Sequence, residues 1–197
     1  MLPDNKVWRV DKWLEDLNAP RDRKYPNTRS FCTGGVGVGD TSEGILGYTW
    51  QVWTDGAAVY LQRTDQGRPK TILTDRGITD VSVAFDREMN LVIAYQAGIE
   101  SKLWVGRNGS LLGNVVLAIK GGKTPKVALD DNRYATAGTS DVVFAYINNS
   151  KLYCRYQREK YQVEHQLMRL DETTTLYQMG MGKDNRFLFL LKKEVTK

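Results

Sequence analysis

The chain has 197 residues, the size of one domain with room for an appended arm. Hydrophobic residues make up 41% of it, which excludes global disorder, and no apolar run approaches the ~20 residues that span a bilayer. The formal charge of +5 is spread along the chain, with only small clusters at 21–24 and 192–193, which argues against the dense Lys/Arg stripe of a nucleic-acid reader.

The N-terminus, MLPDNKVWRVDKW, has no apolar core and no cleavage site of the secretory kind, so the product is expected to be soluble and made in the cytoplasm. The two cysteines, Cys32 and Cys154, are then expected to be reduced thiols. The glycosylation patterns at Asn108 and Asn148 carry no weight without secretion.

Residues 7–17 (VWRVDKWLEDL) place Val10, Trp13, Leu14 and Leu17 at helical spacing with charges between them. This predicts a short amphipathic helix stopped near Pro20. Trp8, Trp13, Leu14 and Leu17 are candidate anchors for docking on another subunit, because tryptophan is favoured at binding hot spots. The plainer alternative is a helix packed on its own domain. Residues 20–29 (PRDRKYPNTR) read as an extended connector, and 33–40 (TGGVGVGD) as a hinge. Residues 1–40 are thus read as an N-terminal arm, and 41–197 as a β-repeat domain.

From there the pattern is β. Residues 46–54 (LGYTWQVWT) and 57–63 (AAVYLQR) flank Asp55-Gly56, a strong hairpin signal. Residues 70–74 form a short strand. A unit then recurs with drift: 81–95 (VSVAFDREMNLVIAY), 126–146 (KVALDDNRYATAGTSDVVFAY) and 176–190 (LYQMGMGKDNRFLFL). Each is an apolar strand, a charged turn and a second apolar strand. A third strand follows in the first two, at 102–106 (KLWVG) and 151–156 (KLYCRY). Fourth strands are read at 115–119 and 161–168, and a final one at 186–192. The spacing 127 − 81 = 46 fits four-stranded blades, so the fold class expected is all-β, a β-propeller-like array or stacked antiparallel sheets. The first unit is read as beginning mid-blade and the last as stopping after two strands. A minimal ring, an open array, or a ring completed by another subunit all remain open.

Catalytic and cofactor motifs are weak. Gly34-Gly35-Val36-Gly37-Val38-Gly39 lacks the spacing and the following helix of a dinucleotide loop. Gly121-Gly122-Lys123-Thr124 resembles the end of a P-loop, but Leu117 stands where its first glycine is required. His165 is the single histidine, so any Ser/His/Asp or Cys/His site would have to use it; a half-buried strand position is the default. One histidine and two distant cysteines do not make a tetrahedral zinc site. Asp86, Asp130, Asp131 and Asp184 recur after first strands, where turn chemistry accounts for them; Asp130-Asp131-Asn132 is a weak calcium candidate. Distant acids brought together for glycoside hydrolysis have no support in the spacing. The abundant tyrosines and tryptophans are expected mainly between sheets, with a minority on an exposed face for sugars or a partner. No cofactor, metal site or catalytic residue is assigned.

The repeat phrases TDVSVAFDREMNLVIAY (79–95), KLWV (102–105), KTPKVAL (123–129), DVVFAY (141–146) and KLYCRY (151–156) resemble modules of tailed-bacteriophage tail and tail-fibre proteins with propeller-like repeats. The likeness covers about residues 79–166. It implies a non-enzymatic virion component: an adaptor, fibre-attachment or receptor-facing protein, made in the host cytoplasm. Its implied partners are other virion proteins, copies of itself and a host-surface glycan, with neither nucleic acid nor membrane. The alternatives are a carbohydrate- or protein-binding propeller without an assembly role, and a glycan hydrolase on such a scaffold.

Overall fold

The computed structural model describes residues 29–33, 39–41, 44–46, 49–63, 66–86, 90–107, 111–131, 140–181 and 186–193. The expected helix at 7–17 and its anchors Trp8, Trp13, Leu14 and Leu17 lie outside these residues. What is described is almost entirely β. The first sheet holds β1 (Arg29–Thr33), β4 (Thr49–Thr54), β5 (Ala58–Arg63) and β6 (Gln66–Thr74), in that order. β2 (Gly39–Thr41) and β3 (Gly44–Leu46) form a separate short pair. The second sheet is the meander β7 (Ile78–Phe85), β8 (Leu91–Ala97), β9 (Glu100–Gly106) and β10 (Gly113–Lys120). The third is β11 (Lys123–Asp131), β12 (Ser140–Asn148), β13 (Lys151–Tyr156) and β14 (His165–Arg169). The last is the pair β15 (Thr174–Met181) and β16 (Phe187–Lys193). All ladders are antiparallel. None of the sheets closes on itself, and no described strand pairs the last sheet with the first.

Side-chain alternation explains why the sheets lie in series. Strand neighbours point to opposite faces, so a strand covered on both sides must be apolar throughout. β8 (LVIAYQA) is such a strand, buried at every position. Its Leu91, Ile93 and Tyr95 join Val52, Val59 and Leu61 of the first sheet in one core cluster. Its Val92 and Ala94 join Val127, Val142, Phe144 and Tyr146 of the third sheet in a second cluster. β12 repeats the device: Val143, Ala145 and Ile147 face Leu176 and Met179 of β15 in a third cluster. The first strands of successive sheets, β1, β7, β11 and β15, pack one on the next.

The first sheet has a fourth strand beyond those read from sequence at 46–54, 57–63 and 70–74, because β1 pairs along its whole length with β4. The expected strand at 161–168 is corrected to β14 alone. After β13 the chain makes a 3-10 turn (Gln157–Glu159), and Lys160 and Tyr161 then take left-handed backbone angles. Arg155 pins the detour by donating to the Tyr161 and Gln162 carbonyls at 2.9 and 3.0 Å. The Tyr161 ring, buried with Phe144 and Tyr146, fills the second core cluster from a loop.

Candidate binding faces

Two sheets stand at the ends of the series, and each has one face on a core cluster and one turned away from it. In the first sheet the even residues Trp50 and Val52 of β4 face the core, with Leu61 of β5 directly opposite Val52 and Val59 on the same side. The other face carries Gln51 and Trp53, directly opposite Gln62 and Tyr60. The Trp53 and Tyr60 rings are near-parallel, 5.8 Å apart and 26° between planes. Gln51 Nε2 donates to Gln62 Oε1 at 3.1 Å.

The β4–β5 turn fixes this face. Asp55 Oδ1 accepts the Ala57 and Ala58 N–H groups, both at 2.9 Å, and Asp55 Oδ2 accepts the Tyr60 hydroxyl at 2.8 Å. The hydrogen bond from Ala57, then that from Tyr60, hold the Asp55 carboxyl below its ordinary range, so it is anionic at neutral pH. The same carboxylate raises the Tyr60 hydroxyl. All four side chains other than Asp55 are half-buried. This face is turned away from the core cluster that the first sheet shares with the second.

The last sheet differs. Gln178 pairs with Leu190 and Gly180 with Leu188, and these turn away from the third core cluster. Leu188 and Leu190 are 45% and 49% exposed. Phe187 and Phe189, the alternate residues, pack on the core. Tyr177, at a break in the β15–β16 register, is also exposed. Where the three large sheets continue to a third and fourth strand, this one has two among the described residues.

The buried polar groups lie between sheets rather than in a cleft. Lys126 Nζ, on β11, meets Asp80 Oδ2, on β7, at 2.5 Å, with both side chains under 10% exposed. Burial, opposed by Lys126, pushes the Asp80 carboxyl up to about 6. Asp80 Oδ1 has no hydrogen-bond partner. Beside it, Ser82 Oγ both accepts from the Val127 N–H and donates to the Val127 carbonyl. At the opposite end of the same interface, Asp86 caps its own turn by accepting the Asn90 N–H at 2.7 Å, and it also accepts Gln157 Nε2 at 2.8 Å. Asp141 accepts the Arg158 N–H, and its Oδ2 stands 3.0 Å from Arg158 Nη1, close enough for an ion pair but not aligned as a hydrogen bond. Burial raises the Asp141 carboxyl. The Tyr161 hydroxyl is buried there without a partner, and burial raises it strongly.

Among the aspartates read as recurrent turn residues, Asp86 is one. Asp130 and Asp131 instead lie inside β11, opposite Asp141 and Ser140, and Asp184 is outside the described residues. No cluster of three or more His, Cys, Asp or Glu that could hold a metal occurs among the described residues. His165 sits half-buried on β14, directly opposite Cys154, with Nε2 2.7 Å from Glu159 Oε2. Burial pushes the Cys154 thiol up, which leaves it protonated and poorly nucleophilic beside that histidine. The Gly121-Gly122 pair closes the turn between β10 and β11: the Gly121 N–H donates to the Ile99 carbonyl and the Gly122 N–H to the Ile119 carbonyl. Both amides are thus engaged by backbone carbonyls. No described helix is long and apolar enough to cross a membrane.

The outward Trp53–Tyr60 pair was not singled out by sequence, although the Asp-Gly turn that places it was. No protein-family model matches the chain, and no curated protein or solved structure is found similar to it.

Proposed function

We propose that this protein is a non-enzymatic structural and binding component of a phage tail, an adaptor, fibre-attachment or receptor-facing part built on propeller-like β repeats. One observation supports it above the rest: among the described residues the last sheet has two strands, and it presents Leu188 and Leu190 to solvent on its outer side. An apolar sheet face of this kind is a natural place for another polypeptide to continue the series of sheets. The repeat phrases that resemble phage tail modules fall on the second and third sheets, the most completely buried part of the molecule. In this reading the virion is the site of action, synthesis is in the host cytoplasm, and the partners are copies of itself and other virion proteins.

Light scattering after size exclusion tests the assembly role. The full chain is expected to associate, and Leu188→Ser/Leu190→Ser to shift it toward monomer with its circular dichroism unchanged. A truncation to residues 29–197 asks whether the N-terminal segment contributes, and it must keep Arg29, because β1 begins there. A full chain that stays monomeric at high concentration, alone and with tail proteins from its source, refutes the proposal.

A further inference from the structure

We infer that the outer face of the first sheet is a binding platform for neutral pyranose sugars, with Trp53 and Tyr60 as the stacking surface and Asp55, Gln51 and Gln62 as the polar rim. This rests on the receptor-facing reading above and gives it a site and a ligand class.

Three features carry the inference. The first is the pair of half-buried aromatic rings on the side of the sheet turned away from its core cluster. A pyranose presents a patch of weakly positive C–H groups, and an aromatic face is negative, so the two attract beyond simple burial. The second is rigidity. Tyr60 is held from below by its β5 backbone and at its tip by Asp55, whose other oxygen is locked by two turn amides. A preorganised ring loses little freedom when a ligand lands on it. The third is the rim. Two primary amides form the next pair on the same face, two positions along each strand from the rings, and a carboxylate stands two residues beyond Trp53 in the turn. These are groups that engage adjacent hydroxyls in pairs, the carboxylate as acceptor and the amides as both donor and acceptor.

The charge of the rim selects among ligands that stack. Nucleotides stack equally well on aromatic rings, but their phosphates would meet the Asp55 carboxylate. Sialylated or sulfated glycans meet the same repulsion. A second copy of the chain would instead bring an apolar face, and the amide pair and carboxylate would then be buried with little compensation. Neutral hexopyranosides fit both the apolar rings and the polar rim.

The test uses the full-length chain on an array of glucose-, galactose- and N-acetylglucosamine-terminated oligosaccharides, with sialylated counterparts, followed by calorimetric titration of the strongest neutral probe. Saturable binding of a neutral probe is expected, with the sialylated form bound more weakly. Trp53→Ala is expected to weaken binding by about tenfold or more, while Tyr177→Ala on the last sheet leaves it unchanged. Gln62→Ala, which spares the ring pair, is the second variant should Trp53→Ala fold poorly, and it too is expected to weaken binding. The inference is overturned if no neutral probe binds, if binding survives Trp53→Ala and Gln62→Ala in folded protein, or if Trp53 proves to be covered by self-association. Because the assembly role is read from mass and the platform from sugar binding, loss of one leaves the other measurable on its own.

Discussion

The buried Asp80–Lys126 pair allows a sharp test of how the second and third sheets are held together. Lys126→Met keeps the length and apolar stem of the side chain and removes the charge. It leaves Asp80 more than nine-tenths buried, with Oδ1 already lacking a partner. Breaking a buried pair in this way costs about 3–5 kcal/mol at neutral pH, because the remaining charge is uncompensated. The cost is pH-dependent, with a sign that follows from Asp80. Its carboxyl is raised in the folded protein to about 6 from an unfolded value of 3.8, so between those values the folded state holds the extra proton. Stability therefore falls as pH rises through about 6, and this group disfavours folding by about 3 kcal/mol above that range relative to below 3.8 (a gap near 2 units at 1.36 kcal/mol each). Removing Lys126 takes away the attraction that opposes burial, so the window moves upward in pH. Urea unfolding of wild type, Lys126→Met and Asp80→Leu/Lys126→Met at pH 5 and pH 8 reads the effect. The single variant is expected to lose most at pH 8 and to recover much of the loss at pH 5. The double variant is expected to lie within about 1.5 kcal/mol of wild type at pH 8, as apolar replacements of buried pairs do. A single and a double variant equally destabilised, or a single variant indifferent to pH, would refute an ionised, mutually compensating pair.

The remaining predictions concern packing. Tyr161→Phe removes a buried hydroxyl that has no partner, so urea midpoints are expected to stay level or rise, by at most about 1 kcal/mol. Gly113→Ala places a Cβ 2.3 Å from the Val105 carbonyl oxygen and 2.5 Å from Trp104 Cζ2; it is expected to cost about 1–3 kcal/mol and to alter the near-ultraviolet signal of Trp104. Phe144→Ala empties the centre of the cluster shared by the second and third sheets, for a loss of about 3–5 kcal/mol in thermal or urea unfolding.

The repeated strands were legible because burial on two faces leaves a mark that one face does not. LVIAY and VVFAY are continuous apolar runs, and β8 and β12 are the strands sandwiched between sheets. Residues 161–168 misled for the converse reason. Tyr161, Val163, His165 and Leu167 alternate as a strand would, yet Val163 and Leu167 are exposed and Tyr161 is buried from a turn. What distinguishes the two cases is the left-handed backbone at Lys160 and Tyr161, and neither residue type announces that conformation.

The outward face of the first sheet was hidden by a symmetry in the code itself. Alternation says that Trp53 shares a side with Gln51, and Val52 with Trp50, but not which side meets another sheet. In the second and third sheets the question does not arise, because both sides do, and there Tyr95, Trp104 and Tyr146 are buried as expected of aromatics. At the end of the series one side must be left over. There the aromatics of β4 and β5 divide: Trp50 packs on the core side, and Trp53 with Tyr60 takes the outer side. A polar residue opposite a polar residue, Gln51 against Gln62, is the clue that survives in sequence once the Asp55-Gly56 turn fixes the register. The same reasoning read on β16 gives Leu188 and Leu190 outward with no polar partner beyond Gln178. The two end faces thus differ in kind, one rimmed by amides and a carboxylate, the other apolar. Surfaces so unlike are not interchangeable, which is why the proposed ligand platform is placed on the first sheet and the proposed assembly face on the last.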